Sequence, residues 1–150
     1  MKDKPRIIKG DLAIDDRGSV RFVNEFNFEG VKRFYQVANH ERGFIRAWHG
    51  HQKEGKFAYV VKGSALIGVI DLDAEPMPDK FIPSESAFKF VLSDKKTSIL
   101  WIPAGYYNGF MSLEEDTILM FFSTSSLEES LGDDIRQPFN RFNLWDIEYR

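Results

Sequence analysis

The stretch RAWHGHQKEGKFAYVVKGSALIGVID, residues 46–71, decides the fold of this chain. From residue 57 onward, apolar residues occupy both odd and even positions, which is typical of β-structure buried on both sides. Gly63 predicts a turn or a bulge within this segment. Just before it, His49 and His51 lie two residues apart, and in an extended strand side chains at that spacing share one face. The stretch therefore predicts buried β-structure from residue 57 onward. It also predicts a strand just before it that carries two imidazoles on one face.

Short β-strands are predicted on both sides of this stretch, at intervals of about 8–12 residues. Turns rich in Gly, Asp and Pro separate them, and helical periodicity is confined to one turn at Leu127–Ser130. A chain of this kind indicates a β-sandwich or barrel, and a jelly roll encloses a ligand cavity between its sheets. The predicted strands outside the opening stretch are Arg6–Lys9, Ser19–Val23, Val31–Val37, Phe44–His51, one or two within Phe81–Leu92, Ser98–Pro103 and Asp116–Ser123.

Length and composition bound the class of protein. The 150 residues predict one domain, residues 1–150, large enough to bury a core. The hydrophobic fraction of 43% argues against disorder, and a net charge of −3 without a basic run argues against a nucleic-acid partner. The absence of cysteine excludes disulfides, thiolate metal sites and a cysteine nucleophile. No apolar run reaches about 18 residues and residues 1–5 open no signal peptide, so we expect a cytoplasmic protein without membrane contact.

The residue types around the two histidines indicate proton transfer on an anionic substrate. Histidine is the side chain whose unperturbed pKa falls near neutrality, and Arg46 and Lys56 place cations on either side of His49 and His51. A positioned imidazole increases the rate of removing a proton beside a ketone by a factor of about 10²–10⁴. A cation in a dry pocket stabilises the resulting enolate. Two histidines can remove one proton and return another without a cofactor, so we expect none.

Four segments of the sequence, in the same order, carry a resemblance to a known family. They are the turn Asp16–Gly18, the strand Phe34–Asn39, the core Arg46–Gly63 and the hairpin Ile102–Phe110. They resemble the N-terminal turn, the Gln-x-Asn strand, the Arg-Gly-Leu-His…Lys…Gly core and the Pro-x-Gly-x-x-His-Gly-Phe hairpin of the RmlC-like cupins. That family comprises the dTDP-4-dehydrorhamnose 3,5-epimerases and the dTDP-sugar 3,4-ketoisomerases. The resemblance implies a single-domain, all-β cupin jelly-roll barrel with the active site inside it.

The resemblance also implies roles for the residues that match the family's motifs. His49 falls on the catalytic base that removes a proton beside the 4-keto group of a (d)TDP-linked 4-keto-6-deoxy hexose. Lys56 falls on a position that contacts the substrate and stabilises the enolate. Arg17 falls on a phosphate-binding position, which in the family is typically supplied by the neighbouring subunit. Gln36, Asn39 and Arg46 fall on other substrate-binding positions, and Asn108, at the position of the family's second-motif histidine, is also assigned to substrate binding.

Two matched positions depart from the epimerase pattern. Asn108 stands where the family has a histidine. The family's general-acid tyrosine should lie near Phe121 or Phe122, and neither phenylalanine can donate a proton. Strict 3,5-epimerase chemistry therefore lacks two of its expected groups.

Other details resemble the ketoisomerases. The ketoisomerases carry the His-x-His pattern that residues 49–51 show here. They also carry an Arg-x-Tyr strand, which the segment Arg33–Tyr35 resembles, and Tyr35 would then form a polar wall of the pocket. Because His51 shares a face with His49, it can act as a second catalytic group. Asp133 and Asp134 are interpreted as a solvated turn. The sequence thus predicts a metal-independent isomerase, and a 3,4-keto shift or single-carbon epimerisation is slightly preferred over full 3,5-epimerisation.

Two other interpretations remain open from the sequence. A cupin that binds a nucleotide sugar without turnover would explain the departures, whereas the retained His49 favours an enzyme because a binding protein needs no base. His-x-His is also half of a metal-cupin motif, which needs a glutamate later in the chain and a third histidine. Glu54 lies too close to the His-x-His pair to be that glutamate, and Asn108 stands where the third histidine belongs, so no metal ligand is assigned. The sequence identifies neither the sugar nor the nucleotide. The open strand edges of a jelly roll and the apolar strands after residue 57 predict a homodimer.

Overall fold

The computed structural model describes residues 2–76 and 85–150, which form twelve β-strands and one short helix. The all-β prediction is confirmed, and the boundaries of most predicted strands agree within two residues. Of the predicted segment Phe81–Leu92, residues 81–84 lie outside the described part of the chain. The elements are β1 Arg6–Lys9, β2 Asp11–Asp15, β3 Gly18–Phe22, β4 Arg33–Ala38, β5 Ile45–His51, β6 Lys56–Lys62, β7 Ser64–Asp71, β8 Ala87–Ser93, β9 Ser98–Ile102, β10 Tyr106–Ser112, β11 Ile118–Ser123, α1 Leu127–Leu131 and β12 Ile135–Arg136.

Two antiparallel sheets face each other and enclose the core. The first sheet has the strand order β1-β9-β6-β11-β4, and the second has the order β12-β5-β10-β7-β8, while β2 and β3 form a separate hairpin. Alternate residues of each strand point inward, as the two-residue period of a strand requires. The inner cluster joins side chains of both sheets, such as Leu119 and Phe121 from the first and Ile67 and Phe110 from the second. This arrangement is the jelly roll that the sequence predicts.

The segment after residue 56 forms two consecutive strands that belong to different sheets and so link them. It turns at Gly63, so β6 joins the first sheet and β7 the second. Gly63 has a positive φ of 86°, and a Cβ there would lie 2.4 Å from the Oγ1 of Thr117. Only glycine meets both conditions without strain. One continuous apolar run therefore supplies a central strand to each sheet.

The C-terminal segment explains why β7 is buried on both faces. Phe142 and Trp145 pack with Trp48 on the outer face of the second sheet, in a cluster separate from the inner one. The indole nitrogens of Trp48 and Trp145 both donate to the backbone oxygen of Phe139, at 3.1 and 3.3 Å. This cover removes the outer face of β7 from water and leaves the inner face of the sheet to form the site.

Besides the two-residue β12, two observed strands, β2 and β10, carry little strand signal in the sequence. β2 lies in the exposed hairpin with β3, where most of its residues contact solvent, so it shows no buried face. β10 contains Asn108 and Gly109, which strands usually disfavour, yet all seven of its residues are buried between β5 and β7. Its place in the sheet comes from neighbours distant in sequence. No helix within residues 2–76 and 85–150 has the length and hydropathy needed to cross a lipid bilayer.

Candidate active site

A cavity of about 290 Å³ opens between the two sheets. Its walls come from the inner faces of β4, β6 and β11 on one side and of β5 and β10 on the other. The helix α1 and the short strand β12 border it. The lining side chains are Tyr35, Val37, Arg46, His49, His51, Lys56, Asn108, Phe110, Phe121, Leu127, Ser130, Leu131, Asp134 and Arg136.

The structure brings six of the nine sequence-predicted site residues to this one cavity. They arrive from strands of both sheets: Tyr35 and Lys56 from the first, and Arg46, His49, His51 and Asn108 from the second. A ligand between the sheets would therefore have His49 on one side and Tyr35 and Lys56 on the other.

A bulge in β5 allows Arg46 and His49 to share the cavity. Three residues apart, the two side chains would point to opposite faces of a regular strand. The register with β10 shifts here: Asn108 pairs with His49 and Phe110 with Arg46, so β5 has one extra residue. A bulge of this kind re-aims side chains. The amide of Asn108 also donates to the backbone oxygen of His49 at 3.2 Å.

His49 has the protonation behaviour of a base. Burial lowers its pKa below the ordinary 6.5, and the nearby cations Lys56 and Arg136 lower it further, against the opposing effect of Asp134. A lowered pKa keeps the imidazole neutral at neutral pH, so it can accept a proton. The rate of a reaction that uses this base should fall only when the pH drops below that lowered pKa.

His51 is held differently, although it lies on the same strand face. Its Nδ1 lies 2.6 Å from the backbone oxygen of Asp133, so Nδ1 must donate because a carbonyl only accepts. Its Nε2 is enclosed, lies 3.6 Å from Glu54 and has no hydrogen-bond partner among the described residues. Neither ring nitrogen is free to reach a ligand in this conformation. The geometry favours a positioning role for His51 over direct proton donation.

Glu54 is a site residue that the sequence does not reveal. It lies in the loop between β5 and β6, its side chain is fully buried, and it is 3.3 Å from the Nζ of Lys56. Its other oxygen lies 3.7 Å from Arg33 of β4. The signal in the sequence is its position between His51 and Lys56, but spacing alone cannot show that a carboxylate turns inward.

The segment after α1 borders the cavity. Asp133 lies in a turn and Asp134 is exposed, as the interpretation of a solvated turn expects, but both side chains also make specific contacts. The carboxylate of Asp133 accepts the backbone N–H groups of residues 52, 53 and 54 at 2.9–3.0 Å. Burial opposes ionisation of Asp133, but these bonds lower its pKa overall. Asp134 pairs with Arg136 at 2.9 Å, and both line the cavity. Asp133 and residues 52–54 are about 80 positions apart in the sequence, so their contacts form only in the folded chain.

The predicted helical turn is confirmed as α1. Ser126 caps it in a reciprocal capping box with Glu129. The cap fixes where the helix begins, and Leu127 and Leu131, one turn apart, both reach the cavity mouth. The short helix thereby adds an apolar edge to the cavity.

Tyr35 occupies the wall beside the position where the family's tyrosine is expected. Tyr35 of β4 pairs directly with Phe121 of β11, and their rings stack with centroids 5.2 Å apart. The ammonium of Lys56 lies 5.6 Å from the centre of the Tyr35 ring. The first sheet therefore carries a phenol hydroxyl at Tyr35, on the strand next to Phe121, which has no hydroxyl to donate.

The other three predicted residues lie outside the cavity lining. Arg17 is on the exposed β2–β3 hairpin, paired with Asp15. Gln36 is exposed on β4, where the alternation turns it away from the side of Tyr35. Asn39 is buried and accepts a 2.6 Å bond from the Nε of Arg46, so it orients an arginine that lines the cavity.

Within residues 2–76 and 85–150, no three histidine or carboxylate side chains form a group that could hold a metal ion. His49 and His51 would need a third ligand, and the nearby Glu54 is already surrounded by Lys56 and Arg33.

Comparison with known families places this geometry in context. A family model described as dTDP-4-dehydrorhamnose 3,5-epimerase matches residues 5–138. Comparison with curated protein sequences gives no match.

Solved structures share the fold. A dTDP-4-dehydrorhamnose 3,5-epimerase from Sulfolobus tokodaii is 24% identical, with a TM-score of 0.73 over 96% of this chain and 82% of that one. A sugar 3,4-ketoisomerase from Thermoanaerobacterium thermosaccharolyticum in complex with TDP is 19% identical, with a TM-score of 0.67 over 91% and 90%. A 3′-monoepimerase from Streptomyces bikiniensis in complex with dTDP-quinovose is 19% identical, with a TM-score of 0.70 over 88% and 68%.

Proposed function

Because this chain belongs to the dTDP-4-dehydrorhamnose 3,5-epimerase family, we propose that it inverts a single carbon of a nucleotide-linked 4-keto-6-deoxy sugar. It is an isomerase of the RmlC-like cupin type. The observation that supports the proposal is a neutral His49 on one sheet facing Tyr35 and Lys56 on the other.

In the proposed reaction, the first step creates an enolate. His49 removes the proton from carbon 3, beside the 4-keto group, and the electrons of that C–H bond form a carbon–carbon double bond. The carbonyl electrons move to the oxygen, where the ammonium of Lys56 balances the new negative charge. No redox cofactor takes part, because the electron pair stays within the sugar.

In the second step a proton returns to carbon 3 from the opposite face. The Tyr35 hydroxyl is placed for this, because it stands on the sheet opposite His49 and borders the same cavity. His51, which shares the face of His49, has its nitrogens bound or enclosed. A 3,4-keto shift that takes its proton from the side of His49 would need His51 as the donor, so this geometry favours epimerisation.

The charges of the cavity suit a diphosphate-linked sugar. Arg46, Lys56 and Arg136 all line it, and clustered cations in a cleft attract phosphate groups. The guanidinium group of an arginine can make paired hydrogen bonds to phosphate oxygens. We therefore propose that Arg46 and Arg136 hold the nucleotide diphosphate, while the substrate ketone lies between His49 and Lys56.

A sugar-binding protein without turnover is the alternative, and Tyr35→Phe separates it from an enzyme. We expect this variant to form product from dTDP-4-keto-6-deoxyglucose about 100-fold more slowly than wild type, because a positioned acid contributes on that scale. In heavy water it should still place deuterium at carbon 3 of the substrate, since His49 can return the proton it removed. NMR of the sugar ring measures both quantities.

Tyr107→Phe is the control for Tyr35→Phe. Tyr107 lies on β10 and points into the outer cluster, away from the cavity. An unchanged rate of product formation in Tyr35→Phe would remove Tyr35 from the mechanism. A 3-keto product from the wild type would replace epimerisation by the keto shift.

We further propose that the protein is a homodimer formed through the outer face of the first sheet. Phe28 and Phe34 are 63% and 66% exposed there, and Phe26, Phe57 and Phe122 form a contiguous aromatic group around them. Monomeric proteins rarely expose apolar patches of this kind. The projecting β2–β3 hairpin would carry Arg17 toward the phosphate end of the second copy's cavity.

Light scattering tests the dimer. The wild type should have twice the mass of one chain at micromolar concentration, and Phe34→Asp should be monomeric because a buried, unpaired charge is costly at an interface. Val91→Asp is the matched control, since Val91 is 65% exposed on β8 of the other sheet. A monomeric wild type would contradict the proposal.

A further inference from the structure

Glu54 is a buried anion surrounded by basic side chains. Its side chain is fully enclosed, and three basic groups surround it: Lys56 at 3.3 Å, His51 at 3.6 Å and Arg33 at 3.7 Å. Neither carboxylate oxygen has a hydrogen-bond partner among the described residues. The ion pairs are thus longer than ordinary hydrogen bonds.

Such an arrangement is a poor way to stabilise a fold. Removing a carboxylate from water is unfavourable, and attraction to its partners offsets this only when the geometry is excellent and hydrogen bonds are made. An apolar residue of similar volume would serve packing at least as well. The place of Glu54, directly behind a cavity-lining lysine, points to a role in the charge of the cavity.

We propose that Glu54 is a positioning residue that keeps Lys56 charged and holds its ammonium at the cavity wall. Lys56 is itself 7% exposed, and a buried ammonium keeps its proton only when an anion compensates for lost hydration. This inference rests on the proposed function, in which Lys56 acts on the enolate.

The other charged groups around Lys56 make Glu54 the decisive one. Arg33 comes from β4, His49 and His51 from β5, and Arg136 from β12, and none of these is an anion. Asp134 lines the same cavity but pairs with Arg136. Within the described residues, Glu54 is the carboxylate that forms an ion pair with Lys56.

Glu54 also connects the lysine to the α1–β12 segment. Its Oε2 faces both Lys56 and the Nε2 of His51, and the Nδ1 of His51 donates to the backbone of Asp133. The carboxylate of Asp133 in turn holds the backbone N–H of Glu54 at 3.0 Å. This closed ring of contacts fixes the loop that carries Glu54, so the ammonium of Lys56 has one preferred location.

The activity test replaces Glu54 by Gln, which keeps the shape and removes the charge. We expect kcat of Glu54→Gln to fall about 10- to 100-fold, on the scale of misplaced catalytic groups, with KM rising less. In the pH profile of Glu54→Gln, the high-pH limb, along which kcat falls as the pH rises, should move to lower pH. The reason is that Lys56 then loses its proton at a lower pH. Glu54→Asp, which keeps the charge, should recover the position of that limb.

Glu114→Gln is the matched control. Glu114 is also a carboxylate in an ion pair, with Lys95, and it does not line the cavity. If Glu54→Gln and Glu114→Gln have the same kcat and the same pH profile, the proposal is overturned. If Glu54→Gln does not fold, Glu54→Asp decides, because it keeps the charge but shortens the side chain that holds the ammonium. A wild-type kcat then overturns the proposal, and a reduced kcat with the high-pH limb at its wild-type position supports it.

A measurement without substrate separates this proposal from the proposed function. NMR of protein labelled with ¹³C-lysine follows each lysine through a pH titration, and Lys56→Arg identifies the signal of Lys56. We expect that signal to titrate at lower pH in Glu54→Gln than in wild type, and at the wild-type pH in Glu114→Gln. An unmoved titration overturns the role of Glu54 whether or not the protein turns over a sugar.

Discussion

The variant His49→Asn loses proton exchange with the substrate and keeps most of its affinity for the nucleotide. We expect the rate of deuterium incorporation at carbon 3 to fall about 10²- to 10⁴-fold, the range that a positioned general base contributes. Asparagine fills a similar space but cannot accept the proton. Binding of dTDP should change little, because the base acts in the transition state more than in the ground state.

The control for His49→Asn is His40→Asn. His40 is exposed in the loop between β4 and β5 and does not line the cavity. Heavy-water NMR measures exchange and titration calorimetry measures binding of dTDP. If His49→Asn exchanges protons at the wild-type rate, another residue is the base. In the wild type, exchange should remain rapid as the pH falls to 6.5, because the pKa of His49 is lowered by burial and by Lys56.

The variant Lys56→Ala should lose both turnover and affinity. Turnover should fall about 10³-fold, because a preorganised charge at a developing oxyanion contributes on that scale, and dTDP binding should weaken as one cation leaves the cavity. Folding stability should fall by about 3 kcal/mol, the lower end for breaking a buried ion pair, since Arg33 remains beside Glu54.

The matched control for Lys56→Ala is Lys53→Ala, which removes an exposed lysine from the preceding loop. Steady-state kinetics, calorimetry and urea unfolding measure the three effects. If Lys56→Ala binds dTDP weakly but turns over at the wild-type rate when saturated, Lys56 holds the diphosphate and plays no part at the enolate.

Local sequence pattern predicts the parts of this molecule that obey strand periodicity. The apolar run after residue 57 predicts the buried strands β6 and β7, and the two-residue spacing of His49 and His51 predicts that both reach one cavity. The same rule separates neighbours: Tyr35 faces inward and Gln36 outward because adjacent side chains of a strand alternate. Motif matching alone assigns both to the substrate, and the structure distinguishes them.

The parts that the sequence does not predict depend on contacts between distant residues. Nothing near Glu54 in the chain shows that it turns inward, because its environment is built by Arg33 of another strand and by Asp133, 79 residues away. The bulge that brings Arg46 beside His49 is likewise set by pairing with β10. His51 shares the predicted face, but only the folded chain shows that its Nδ1 is bound to the backbone and that its Nε2 is enclosed.

The most direct test of the account is to incubate the wild-type protein with dTDP-4-keto-6-deoxyglucose in heavy water and to follow the sugar ring by NMR. The account predicts deuterium at carbon 3 together with a product inverted at that carbon. If dTDP binds but no ring carbon gains deuterium and no product forms, the protein holds nucleotide sugars without isomerising this substrate, and the central claim is contradicted.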